Sequence, residues 1–222
     1  MTKPLLINDI APDFEAETQL GPIKFSEYAK GSWVIFFSHP RDFTPVCTTE
    51  LARAAQLQDE FARRGVKMLA ISCDDVDSHK SWVADVSAYG KAEVKYPIVA
   101  DPERKIAKLY HMLPAEAPGH DAMPFTVRSV FIMDDTRRIR AMVTYPAPIG
   151  RNFDELLRVV DALQVSDRLH CATPVDWKPG AKVIVPSSVP DDVVGKNFAN
   201  GLEVVDLPSK KAYLRYGTHH AS

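Results

Sequence analysis

Cysteine is scarce in the 222-residue chain: Cys47, Cys73 and Cys171, with no Cys-x-x-Cys pair among them. An odd, scattered set argues against a disulfide framework and for a reducing compartment, with the cytoplasm as the expected address. Long apolar runs are missing too. "WVIFF" is among the longest, far short of the ~18 residues a membrane span needs. The opening "MTKPLLINDIAPDF" breaks its apolar run with Asn8 and Asp9, so it does not read as a signal peptide. A formal net charge of −2 gives no general pull toward nucleic acid or an anionic membrane. No glycine-rich phosphate loop suggests a nucleotide cofactor. The histidines, among them His79, His111, His120 and His170, show neither His-x-x-x-His nor Cys/His ligand spacing, so no metal is expected. What is present is the balance of an ordinary folded protein, 45% hydrophobic and 25% charged.

Up to about residue 165 the chain alternates apolar runs with amphipathic stretches. "WVIFFS" (33–38), "VKMLAIS" (66–72), "RSVFIM" (128–133) and "IRAMVT" (139–144) read as strands. "TTELARAAQLQDEFARRG" reads as a helix with Leu51, Ala54, Leu57 and Phe61 on one face and Gly65 as its stop. "DPERKIAKLYH" predicts a helix capped by Asp101 with Pro102 at its first position, and "NFDELLRVVDALQ" (152–164) a third, with acidic residues early. Strands separated by helices indicate an α/β layered domain over 1–165. Residues 166–222 differ: "ATPVDWKPGAKVIVPSSVP" is proline-rich, with no long helical period. This extension is too small to hold together alone and must pack on the first domain or on a neighbouring subunit.

The stretch "SHPRDFTPVCTTE" carries the chemistry. Thr44 is placed as an N-cap, Pro45 takes the first helical position, and Cys47 falls at the third. The sulfur then lies beside unpaired backbone N–H groups, where the helix dipole favours an anion. Shifting a thiol's ionisation by ~2 units takes ~2.7 kcal/mol, and the dipole supplies only ~0.3–1 kcal/mol. A cation is therefore needed as well, and a buried arginine suits. The alternative is a buried structural cysteine, the usual fate of a free thiol.

Within that stretch, Pro-x-x-x-Thr-x-x-Cys resembles the signature of the peroxiredoxins, in particular the one-cysteine, peroxiredoxin-six subfamily, where His39 and the wording around it also recur. The resemblance continues through "TVRSVFIM", "YPAPIGRNFDELLRVVDALQ", "ATPVDWKPG" and "LPSKKAYLRY". It implies a thioredoxin-like fold, a central mixed β-sheet flanked by helices with a small C-terminal extension, in a homodimer or a higher oligomer. It also implies a thiol peroxidase that reduces hydrogen peroxide and organic hydroperoxides. Carried over by position, Cys47 is the attacking cysteine and Arg128 supports its thiolate and polarises the peroxide. Thr44 sets its hydroxyl against the peroxide oxygens, and Pro40 shields the pocket from water. His39 either contacts substrate or is a hydrogen-bonded framework residue. Glu50 orients Arg128 or Arg151, or is a solvated carboxylate, and Arg151 matches a second family arginine near the site.

Attack on peroxide leaves a cysteine sulfenic acid, which needs reduction. Two-cysteine relatives supply a resolving cysteine in a Val-Cys-Pro context that this chain lacks; Cys73 and Cys171 read as packing residues. An external thiol reductant, glutathione or a thioredoxin-type protein, is implied. Some subfamily members are credited with phospholipase activity through Gly-x-Ser-x-Gly, but "KGSWV" has only Ser32 of that motif, and the position of the assisting histidine holds Ser26. Two other readings remain: a peroxide sensor or holdase using the same cysteine, and a thiol–disulfide oxidoreductase, disfavoured because Thr48, Thr49 and Glu50 follow Cys47.

Overall fold

Continuous runs of Val, Ile and Phe make strands that can be covered on both faces, and the four strands legible in the sequence form the middle and one edge of a five-stranded sheet. A computed structural model describes residues 3–115 and 123–219, so His120 lies outside the described residues. The chain falls into two compact units, Met1–Phe153 and Asp154–Ser222. The composition change near residue 165 lies inside the helix that opens the second unit.

In the first unit the elements run β1 (Glu15–Ala16), β2 (Ile23–Lys24), α1 (Phe25–Tyr28), β3 (Trp33–Ser38), α2 (Pro45–Arg63), β4 (Val66–Ser72), α3 (Val76–Gly90), β5 (Ile98–Ala100), α4 (Lys105–Leu109), β6 (Arg128–Met133) and β7 (Ile139–Tyr145). The sheet order is β5-β4-β3-β6-β7. β3, β4 and β5 are parallel, while β6 and β7 join antiparallel, so the sheet is mixed. Phe36 of β3 packs with Phe14, Phe25 and Tyr110 on one face. Phe37, one residue on, points the other way and meets Tyr96 and Phe153.

Helix α3 has no counterpart among the helices expected from the sequence. Asp75 caps it, accepting from Ser78 N at 2.8 Å, and only His79, Trp82, Val86 and Gly90 are buried along it. The helix expected from Pro102 starts later, at Lys105. Residues 101–104 close a turn instead, with Arg104 N donating to Asp101 O at 2.9 Å and Arg104 at a left-handed φ of 59°. Asp101 still serves the helix, its Oδ2 accepting from Ala107 N at 2.7 Å.

The second unit contains α5 (Phe153–Leu169), which begins on the last residue of the first, then β8 (Val183–Ile184), α6 (Asp191–Asn197), β9 (Leu202–Val204) and β10 (Arg215–Gly217). The strands form an antiparallel sheet ordered β8-β10-β9. Trp177, Val183, Val185 and Phe198 form its small core, with Cys171 packed among them.

Candidate active site

Cys47 occupies the third position of α2 and is fully buried. The first backbone bond of that helix, Thr48 N to Thr44 O at 3.0 Å, comes after it, so the sulfur sits in the turn whose N–H groups have no helical acceptor. The cap differs from expectation. Thr44 stands at the N-cap with extended backbone but makes no side-chain cap. Its Oγ1 donates instead to Arg41 O at 2.7 Å. The hydroxyl is thereby aimed by its own loop and keeps its lone pairs as acceptors. Pro40, half-buried, lies in the same loop between β3 and α2.

The cation arrives from β6. Arg128, only 2% exposed, brings Nη1 to 3.4 Å from Cys47 Sγ. The same nitrogen donates to Glu50 Oε2 at 2.6 Å, and Nε donates to Ala147 O at 2.8 Å. Glu50 lies one turn after Cys47 on α2 and is buried, so the reading of it as a solvated helix-face carboxylate does not hold. Its carboxylate accepts from Arg151 as well: from the backbone N at 2.6 Å, Nε at 2.9 Å and Nη2 at 2.8 Å. Arg151 Nη1 reaches Ser129 O at 3.0 Å, and its guanidinium lies over the Phe37 and Phe153 rings. Burial alone would raise the Glu50 carboxyl. The hydrogen bonds and charge of Arg151, with the charge of Arg128, overcome that and hold it below the ordinary carboxylate range.

Two guanidiniums share one carboxylate, leaving one net positive charge beside the sulfur, which a thiolate neutralises and a thiol does not. The two arginines are not equivalent. Arg151 spends its backbone N, Nε, Nη1 and Nη2 on Glu50 and Ser129, whereas Arg128 Nη2 makes no hydrogen bond among the described residues. Arg151 is thus part of the frame, and Arg128 has donors left for a ligand.

His39 is fully buried at the start of the loop that leads to Cys47. Its Nε2 faces Asp42 Oδ1 at 2.7 Å, and its ring lies 5.1 Å from that of Trp82, whose Nε1 donates to Thr48 Oγ1 at 3.2 Å. Sequence reasoning missed Asp42, His79 and Trp82. The signals were an aspartate three residues after a histidine and "SHKSW" at helical spacing. His39, Asp42 and Asp74 offer ligand atoms within 4.8 Å of one another. Those atoms are already engaged: Asp42 Oδ1 by His39, and Asp74 Oδ2 by Asp42 N and Ser72 Oγ. The trio therefore reads as a hydrogen-bond network.

The other two thiols have no such setting. Burial pushes Cys73 and Cys171 up to about 11. Ser32 lies in the turn before β3, its N donating to Ala29 O at 3.1 Å, and Ser26 N is held by Asp13 Oδ1 at 2.7 Å.

The chain matches the AhpC/TSA family over residues 7–142 and the C-terminal domain of 1-Cys peroxiredoxin over residues 162–200. It is 49% identical to peroxiredoxin-6 of Gallus gallus and 47% to that of Homo sapiens, each over 216 residues that cover 96% of both chains. A solved peroxiredoxin 6 mutant from Arenicola marina superposes with a TM-score of 0.92 at 41% identity, covering 98% of this chain and 100% of that one. A yeast mitochondrial 1-Cys peroxiredoxin gives 0.85 at 43%, covering 96% and 99%. With close to half its residues shared from end to end with peroxiredoxin-6 proteins, the chain belongs to the AhpC/TSA family as a peroxiredoxin of the one-cysteine type, a thiol-dependent peroxidase.

Proposed function

We propose that Cys47 is the thiolate that attacks, and that the groups around it act in distinct roles. The sulfur displaces on one oxygen of a hydroperoxide, the O–O bond breaks, and the departing alkoxide or hydroxide takes up a proton. The products are Cys47 sulfenic acid and an alcohol or water. During displacement, charge moves from sulfur to the far oxygen, so useful donors must bind that spreading charge better than the starting thiolate. Arg128 is suited to this: Nη1 supports the sulfur and Nη2 is uncommitted. Thr44 Oγ1 accepts a hydrogen bond from the peroxide O–H, Pro40 limits water in the pocket, Glu50 and Arg151 hold the Arg128 fork in place, and His39 backs the loop.

An external thiol then attacks the sulfenic acid to give a mixed disulfide and water, and a second thiol releases Cys47. Glutathione or a thioredoxin-type protein fits that role; the solved yeast 1-Cys relative is described as resolved through glutathione/thioredoxin systems. The C-terminal extension, residues 166–222, is assigned to assembly, in a homodimer or higher oligomer. Three free cysteines fit a reducing, cytoplasmic setting, and no helix among the described residues is long and apolar enough to cross a membrane.

The observation that carries this reading is Arg128 Nη1 at 3.4 Å from a buried sulfur in the first turn of α2. The test is peroxide consumption with each candidate reductant, with mass spectrometry of Cys47 after one equivalent of peroxide. Oxygen found on Cys73 or Cys171 and not on Cys47 would reject the assignment.

A further inference from the structure

A second buried charge cluster is joined to the loop that carries the site, and the peroxidase reading uses only its His39. Asp42 is 3% exposed, and His39 and His79 are fully buried. Asp42 Oδ1 faces His39 Nε2 at 2.7 Å, while Oδ2 faces His79 Nδ1 at 2.6 Å and accepts from Ser78 Oγ at 2.9 Å. Burial alone would raise the Asp42 carboxyl; hydrogen bonds and charge from both histidines hold it well below its usual range. It is therefore an ionised, acceptor-only group, and both facing imidazole nitrogens must carry protons.

The two rings differ on their far sides. His79 Nε2 meets the Val99 carbonyl oxygen at 3.2 Å, so an acceptor faces each nitrogen of that ring. His39 Nδ1 is buried with no partner among the described residues, a place for a lone pair. Asp42 is the one carboxylate hydrogen-bonded to these rings among the described residues, so it balances one imidazolium, and a second would have only the half-buried Asp74 to offset it. The ring centroids are 6.2 Å apart, close enough for that repulsion to count.

We propose that His79 is a positioning residue that acts through Asp42: by taking the single positive charge the aspartate can balance, it keeps His39 neutral, protonated at Nε2, with Nδ1 held open as a hydrogen-bond acceptor beneath the peroxide loop. The inference rests on the reading of Cys47 as the attacking thiolate, because only then does the state of His39 bear on catalysis. The titratable groups facing His39 are Asp42 from its own loop, His79 from α3 and Asp74 from the β4–α3 loop. Desolvation is the largest influence on His39 and lowers its ionisation, offset in part by Asp42, with His79 lowering it further. Replacing His79 by a neutral side chain removes that repulsion and leaves His39 as the sole ionisable partner of Asp42.

The experiment uses the reduced full-length protein and its His79→Gln variant. Ring-nitrogen NMR should show His79 protonated at both nitrogens and His39 at Nε2 alone near neutral pH. In His79→Gln, His39 should become doubly protonated at a higher pH than in the parent. The second-order rate with hydrogen peroxide, divided by the alkylation rate of Cys47 at the same pH, cancels the thiolate fraction. In His79→Gln that ratio should fall about tenfold per pH unit below the new His39 midpoint, as one proton requires, while the parent ratio stays level there. A neutral His79 or a doubly protonated His39 in the parent spectrum overturns the proposal, and so does a level ratio in the variant. Should His79→Gln fail to fold, the parent spectrum decides alone. The ring spectra read the tautomers whether or not Cys47 reacts with peroxide, so failure of the Cys47 assignment remains separable.

Discussion

Arg128→Ala separates two roles that a single guanidinium can hold, support of the thiolate and binding of the displacement. At 3.4 Å and an effective dielectric constant of ~20, the guanidinium–thiolate attraction is roughly 5 kcal/mol. Glu50, which accepts from the same nitrogen at 2.6 Å, offsets part of that attraction, and what remains is divided between the resting sulfur and the displacement. Its removal takes the net charge beside the sulfur from one positive to zero, with Glu50 left to Arg151 alone. Alkylation by iodoacetamide should then reach half its maximal rate at a higher pH, with its high-pH plateau nearly kept. Peroxide reaction measured on that plateau, where ionisation is complete, should still fall about 10²–10³-fold, the loss expected when a donor to developing charge is removed. Stopped-flow kinetics with hydrogen peroxide and a parallel alkylation series give both quantities, with circular dichroism confirming the fold. Equal slowing of the two reactions on the plateau would refute the reasoning, because it would confine Arg128 to making the thiolate.

Glu50→Gln should leave two buried guanidiniums without their carboxylate and cost about 3–5 kcal/mol in urea unfolding; a loss under 1 kcal/mol would mean the ion pairs do not hold the frame. Glu50, Asp42 and His39 all ionise lower in the folded chain than in the unfolded one. The unfolded state therefore binds more protons in acid; the proposed imidazolium of His79 offsets His39 near pH ~6.5, so stability present near pH 7 should decline chiefly as pH falls through ~4, where the carboxylates titrate. An unfolding midpoint level from pH 7 to 4 would contradict this. Cys47→Ser should abolish peroxide reduction, while Cys73→Ser with Cys171→Ser should leave the first oxidation nearly intact by stopped flow. Gly90→Ala would set a Cβ 2.9 Å from Ala52 Cβ and 3.2 Å from its Cα and O. The overlap with backbone should outweigh the helix-propensity gain and destabilise by about 1–3 kcal/mol, read as a lower urea midpoint; a higher one would show that α2 and α3 can separate freely.

The strands were legible because β3, β4 and β6 are near-continuous apolar runs, and buried parallel strands demand such runs. Helix α3 was not legible, since its core-facing set includes a histidine and a glycine in place of the usual aliphatics. The α4 start was misplaced for a different reason. Asp-Pro is a fair helix opening, and only tertiary context puts Arg104 in the left-handed region and makes a turn of 101–104. At the site, Pro45 and Cys47 read correctly from local rules, and the need for a cation came from energy alone. Which cation did not: Arg128 and Arg151 lie 78 and 101 residues from Glu50, and only the sheet order brings β6 beside β3 and its arginine under α2. Family wording supplied those residues. It did not supply Asp42 or His79, whose partnership appears only when α3 packs against the loop after β3.

Reactivity here is a matter of contrast among three buried sulfurs. Burial by itself penalises a thiolate, and Cys73 and Cys171, pushed to about 11, are ionised to roughly one part in 10⁴ at pH 7. Cys47 is more deeply buried than either, yet it lies in a helix's first turn with one unbalanced guanidinium charge beside it. The same contrast decides how the oxidised sulfur is reduced. Resolving a sulfenic acid takes a thiolate, and burial disfavours that form of both remaining thiols. In the proposed mechanism a guanidinium charge is placed beside one sulfur, the other two thiols serve as packing, and the second nucleophile is supplied from solution.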